Sequence, residues 1–433
     1  MTRVPSDTGS PVSFPLVGQF EEELRRHHAY RVTLPLTVAS TLPGLLVRFG
    51  VVEVPLEIEA VFLGVAIFGA AFMLSWAAEV AQLDISQTLA IAVLALIAVL
   101  PEYAVDLVLA FRAGQGDTEK LHLAVANMTG ANRLLIGLGW ATVVLIFWVK
   151  TRNRRVNLRR EQRMDVGFLL IATLWAFSIP IRGQLSFLDF VVLAILFVAY
   201  ILRAAREEVE EPELIGSAAA IGALPRTARR LVTLLMFLFS AATILIVAEP
   251  FAESLIQIGE RFGISKFLLI QWLAPLASEA PEMIIAILFT LRLKAQAGLG
   301  TLISSKVNQW TLLVGTLPLV YGIAGGGGGG FFHPMLMDDR QIEEVFLTAA
   351  QSLFAVAVIA NLSISRWEAV MLLVLFLGQF GFEDSTIRYG FAIAYLTLTL
   401  VLLAFNKDAR TSLIDAVLRV FRRRRPPGPA PGS

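Results

Sequence analysis

The most expensive residues in this chain are two glutamates that follow prolines inside apolar runs. They are Glu102 in "VLPEYAVDLVLAF" (99–111) and Glu282 in "EAPEMIIAILFTL" (279–291). A carboxylate at mid-bilayer costs about 2.5–3.5 kcal/mol on insertion scales, so it faces a bundle interior or water and marks an ion path. Pro101 and Pro281 each remove a backbone hydrogen bond and kink their helix, which frees carbonyl oxygens beside the acid. Asp106 lies one turn after Glu102 on the same helix face, and Glu279 lies three residues before Glu282. With Asn127, Asn132, Ser278, Ser305 and Gln309 they make an oxygen-rich set in a chain without cysteine. Calcium takes six to eight oxygens from carboxylates and carbonyls. The set therefore suits calcium, sodium or a proton rather than zinc or copper. Lys306 adds a base to the same neighbourhood, as an internal cation or a salt-bridge partner, with Asp106 its expected counter-charge. The competing structural roles are interhelical hydrogen bonding for a lone glutamate and for Asn127 and Asn132, a vestibule lining for Glu279, a stem packed on lipid or reaching the interface for Lys306, and close helix packing for Gly130, Gly137, Gly139, Gly300 and Gly315.

What must position these residues is a membrane. Hydrophobic residues make up 56% of the 433 and charged residues 16%, against roughly half and a quarter in a soluble domain; the mean hydropathy is +0.70. Runs of about 20 apolar residues are read as spans, and in lipid they must be helices. About twelve are present, near 33–49, 56–81, 86–111, 121–149, 165–181, 186–203, 231–257, 265–291, 297–324, 343–363, 367–382 and 388–405. The first is interrupted by Pro43 and Gly44. The domain reading is a cytoplasmic segment at 1–32, a first membrane half at 33–203, a cytoplasmic linker at 204–230, a second half at 231–406 and a basic, disordered tail at 407–433. Lys and Arg in the short loops, above all "KTRNRRVNLRREQR" (150–163), set the orientation and put both termini in the cytoplasm. The glycine run 325–330 reads as a flexible loop. Glu79, Glu249 and Glu253 fall toward helix ends and read as interfacial.

On this topology the helices bearing Glu102 and Glu282 run in opposite directions. "DISQTLAIAVLALIAVLPEYAVD" (84–106) aligns with "GISKFLLIQWLAPLASEAPEMIIA" (263–286), and "AVANMTGANRLLIGLGW" (124–140) with "GLGTLISSKVNQWTLLVG" (298–315). Similar segments of opposite topology are an inverted repeat, the plan of secondary transporters whose site lies at the midplane between the repeats.

These residues resemble the α-repeats of the cation/calcium exchanger superfamily, over about 56–149 and 231–324. That family carries Gly-Thr-Ser-x-Pro-Glu on helices two and seven and Gly-Asn-x-x-Gly-Ser-Asn on helices three and eight. The resemblance implies an all-α polytopic protein with a ten-helix inverted-repeat core, one extra helix at each end, and Glu102 and Glu282 as the metal-coordinating acids. The match is partial. The Thr-Ser positions hold Ala98 and Val99 in the first copy and Ser278 and Glu279 in the second; Gly-Ser-Asn becomes Gly130, Ala131 and Asn132, then Ser304, Ser305 and Lys306. Loss of oxygens from the first copy argues against sodium coupling and toward protons.

The expected activity is cation antiport, calcium against sodium or protons, by alternating access. A sodium/proton exchanger on the same fold, a transport-dead relative and a channel remain open from the sequence. An enzyme is not expected: His27, His28, His122 and His333 all lie outside the middle of a span, and no aspartate pair is matched across two helices. The expected partners are the bilayer, taken as the cell membrane, and inorganic cations carried as cargo. Neither a resident cofactor nor nucleic acid is expected, and the sequence leaves the oligomeric state open.

Overall fold

A computed structural model describes residues 15–84, 100–205, 214, 216–263, 268–380, 382 and 384–421. In chain order the elements begin with α1 (Pro15–Arg48), α2 (Leu56–Ala81), α3 (Leu100–Gly114), α4 (Thr118–Thr151), β1 (Arg155–Asn157), α5 (Arg163–Arg182), β2 (Gln184–Leu185), α6 (Phe187–Ala204) and α7 (Gly216–Gly222). They continue with α8 (Arg226–Phe262), α9 (Ala274–Leu291), α10 (Ala295–Asn308), α11 (Val314–Ile323), β3 (Met335–Leu336), α12 (Asp339–Ile359), β4 (Ser363–Ser365), α13 (Arg366–Phe380), α14 (Ser385–Phe405) and α15 (Lys407–Phe421). The protein is all-α: among the described residues the strands form only two short antiparallel pairs, β1 with β4 and β2 with β3.

Among the described residues seven helices are long and apolar enough to cross a bilayer, and Val32–Arg48 and Glu282–Leu291 are shorter apolar helices. The expected span at 86–111 falls largely on residues outside those described, as does the Ile-Ser start of each repeat. Helix starts are set by local chemistry. Asp117 accepts from the Lys120 amide, Asp384 accepts from the Ile387 amide, and Ser186 and Asp338 form capping boxes with Asp189 and Gln341. Gly263, at φ +63°, ends α8 in the left-handed region that glycine enters freely.

The ends of the molecule can be told apart from its contacts. Lys150, at the end of α4, donates to the Leu291 carbonyl at the end of α9. At the opposite end Arg112 pairs with Glu249 and Lys120 with Glu253, the latter at 2.5 Å. Helix α3 therefore points its C-terminus toward one end and α9 points its own toward the other. A second mark of the repeat is a π-helical turn in each copy. One opens at Leu135, three residues after Asn132, and the other at Gln309, three residues after Lys306. Asn132 and Lys306 are the positions the sequence alignment equates.

Two apolar clusters are the largest among the described residues. The larger joins α4, α5, α6 and α10–α15. The smaller joins α2 and α8 to parts of α3 and to Ile270 and Ala274. Helices α2 and α8 pack on each other more extensively than any other pair. Where they meet the linker, Asp84 accepts from Arg229 at 2.7 and 3.0 Å and from Arg230 at 3.0 Å. These bonds, Arg229's foremost, pull the Asp84 carboxyl down to about 2.

The tail expected to be disordered from 407 is corrected in part. Residues 407–421 form α15, with Ala409, Leu413, Ala416 and Val420 buried against α5. That spacing is one apolar stripe of a helix, and its burial outweighs the polar composition on which the tail was read. Residues 422–433 lie outside those described.

Candidate cation site

Glu102 lies in α3 and Glu282 in the middle of α9. The side chains of Glu102, Pro101 and Pro281 lie outside the described residues. Pro281 has no N–H to give, so the carbonyl of residue 277 loses the partner a helix would supply. Close approach is built in by small residues: a Cβ on Gly130 of α4 would run into the Gln271 carbonyl oxygen in the π turn before α9.

Around these helices four polar pairs assemble. Asn127 of α4 donates to Asp106 of α3 at 2.8 Å, and both residues are buried. Gln309, first residue of its π turn, donates to Glu279 of α9, again with both buried. Lys306 of α10 donates to the Asn132 side-chain oxygen at 2.6 Å and to its carbonyl at 3.3 Å. Glu282, 8% exposed, has the Ser305 hydroxyl facing it but outside strict hydrogen-bond geometry. Glu279 feels the charges of Glu282, Lys306 and Asp106.

The first two pairs are alike in what they leave over. One oxygen of Asp106, one of Glu279, both of Glu282, the amide oxygens of Asn127 and Gln309 and the Ser305 hydroxyl are buried without a hydrogen-bond partner. Buried polar atoms are rarely left so. Seven oxygens of carboxylate, amide and hydroxyl type are the ligand chemistry of a hard cation or the acceptors of protons. Among the described residues, acids and histidines alone make no group of three or more placed to hold a metal; the oxygens are shared between acids and amides.

Two residues read from the sequence stand differently. Ser278 is buried, but its hydroxyl bonds the Ala274 and Pro275 carbonyls of its own helix at 3.3 Å each. Lys306 was expected opposite Asp106. Its hydrogen bonds instead go to Asn132, its ammonium sits 4.3 Å from the Trp310 ring centroid, and Asp106 takes the Asn127 amide. The Asn132 amide is itself turned back, donating to the Met128 carbonyl at 2.8 Å. That leaves its oxygen to the lysine.

The sequence reading missed a second buried polar cluster. Arg133 of α4 pairs with Glu344 of α12. Arg388 of α14 pairs with Glu343 at 2.5 Å and also with Glu344, and Arg340 stands 3.3 Å from Glu344. Gln271 donates to Glu344 at 2.7 Å, and Gln351 donates to the Arg133 carbonyl at 3.1 Å. The signal was present: Arg133 is a charge inside an apolar span. The cluster ties α4 and the turn leading into α9 to α12 and α14.

With this geometry in place, comparison with known proteins is decisive at the level of family. A family profile described as "Sodium/calcium exchanger protein" matches residues 58–205 and 232–382. The chain belongs to the sodium/calcium exchanger family. Among solved structures, the chain resembles one described as the H+/Ca2+ exchanger CAX, with 41% identity, a TM-score of 0.86, and coverage of 91% of this chain and 98% of that one. It shares the fold of the Ca2+/H+ antiporter protein YfkE, at 18% identity, TM-score 0.57 and coverage of 85% and 100%. It also shares that of the sodium-calcium exchanger NCX_Mj, at 18% identity, TM-score 0.51 and coverage of 77% and 100%. A search of curated protein sequences returned no match.

Proposed function

We propose that this exchanger moves calcium against protons by alternating access, with Glu102 and Glu282 as the shared site of cation and proton. The observation that carries the reading is the set of buried oxygens without partners on Asp106, Asn127, Glu279, Glu282, Ser305 and Gln309. The 41% identity to a structure described as an H+/Ca2+ exchanger supports protons as the counter-ion. The chemistry is a competition for charge neutrality. A bare carboxylate in an apolar interior must take a cation or a proton. One calcium neutralises the Glu102 and Glu282 pair, and so do two protons, so exchange of one load for the other leaves the charge of the site unchanged. Asp106 and Glu279 then extend the oxygen shell, with Asn127 and Gln309 fixing their orientation by donating one N–H each. The arginine-rich loop 150–163 faces the cytoplasm, with both termini, in the cell membrane.

The test is calcium uptake into proteoliposomes under an imposed proton gradient. Uptake should follow the pH step and vanish in Glu102→Gln and in Glu282→Gln. Near-normal flux in both variants, or a flux that follows sodium and ignores pH between about 6 and 8, rejects the reading.

A further inference from the structure

Lys306 is fully buried, and its ammonium is held by an unusual set of neighbours. Both the side-chain oxygen and the main-chain oxygen of Asn132 face it, at 2.6 and 3.3 Å, and the Trp310 ring lies 4.3 Å away. An amide oxygen, a carbonyl oxygen and an aromatic face are the groups that hold a desolvated monovalent cation. Asn132 and Lys306 occupy one register of the two repeats, three residues ahead of matching π turns. One repeat supplies the oxygens of a cation seat, and the other supplies a cation that cannot leave. Glu279 is the acid that acts electrostatically on the ammonium, so the seat belongs to the same charge balance as the cation site.

We infer that the Lys306 ammonium fills a monovalent-cation seat built by Asn132 and Trp310, and that Lys306 thereby keeps sodium and potassium out of that seat. It is a specificity-determining residue: a fixed positive charge takes the place of an exchangeable one. The inference deepens the antiport reading and rests on it only for transport, because occupancy of the seat can be read without flux.

Thermal unfolding of the purified protein in detergent, with sodium chloride or choline chloride at equal ionic strength and no calcium, reads the seat directly. The wild type should melt at one temperature in both salts. Lys306→Ala should melt lower in choline and recover by roughly 2–4 °C in saturating sodium or methylammonium, since a ligand bound only to the folded state raises Tm. Lys306→Gln, which keeps most of the stem, should behave likewise. Adding Asn132→Ala to either variant should remove the recovery. Saturable stabilisation of the wild type by sodium over choline overturns the inference, whether or not any variant folds. So does a folded Lys306→Ala or Lys306→Gln indifferent to sodium and methylammonium. In proteoliposomes, sodium should inhibit calcium uptake by Lys306→Ala and leave the wild type unchanged. A wild type with no proton-driven calcium flux would reject the antiport reading while the melting experiment still decides the seat.

Discussion

The two repeats solve one problem in opposite registers. In the first, the added acid, Asp106, follows Glu102 by one turn; in the second, Glu279 precedes Glu282 by three residues. Each takes one N–H from an amide on the next helix of its own repeat, Asn127 or Gln309, and each keeps one oxygen free. Because α3 and α9 run in opposite directions, following and preceding lead to the same side of the Pro-Glu layer, the end carrying residues 115–117. At the register of Asn132 and Lys306 the copies instead diverge, and one holds the oxygens while the other holds the charge. An inverted repeat preserves backbone geometry by symmetry. It leaves side chains free to break that symmetry, and the breaks set the polarity of the site.

The sharpest way to break the comparison is at its symmetric part. Glu102→Gln and Glu282→Gln should each abolish proton-driven calcium uptake and leave Tm near the wild-type value, because a neutral amide keeps the volume and loses the charge. Retained flux in only one of them would make the two halves inequivalent at their centre.

The next largest effect lies in the scaffold. Glu344 is contacted by Arg133, Arg340, Arg388 and Gln271 inside the protein. Glu344→Gln leaves the buried Arg133 guanidinium without its counter-charge and should cost about 3–5 kcal/mol, read as a large fall in Tm. An unchanged Tm would mean that this cluster does not bind α4 to α12 and α14.

The asymmetric acids should matter less. Asp106→Asn and Glu279→Gln should each raise the calcium concentration for half-maximal uptake by about tenfold, or about 1.4 kcal/mol. If the two added acids form one layer, the pair of substitutions should deviate from additivity.

The smallest effect is at the junction of α2 and α8. Asp84 is held to about 2, below its ordinary 3.8, chiefly by hydrogen bonds from Arg229. A carboxyl depressed on folding adds stability above its unfolded value and loses it as pH falls through the folded one. Asp84→Asn should therefore lower Tm modestly at pH 5–8, and the gap to wild type should close between about pH 4 and about 2. A gap constant across that window would take Asp84 out of the junction.

What the sequence determined by itself is the part written locally. Apolar runs of membrane length dictate helices, because lipid offers the backbone no partner. Two acids beside prolines stand out because each is expensive alone, and their recurrence at matched positions exposes the repeat and the family. The stripe Ala409, Leu413, Ala416 and Val420 was equally local, and it was passed over because charged residues around it suggested a tail. Only the tertiary structure decided which polar atoms meet. Arg133 reaches Glu344 across 211 residues and Lys306 reaches Asn132 across 174. Asp106, closer in the chain to Asn127, takes that amide and leaves the lysine to oxygen and an aromatic ring. Partner choice among buried polar groups depends on helix rotation and on distances of an ångström or two, and spacing along a chain carries neither.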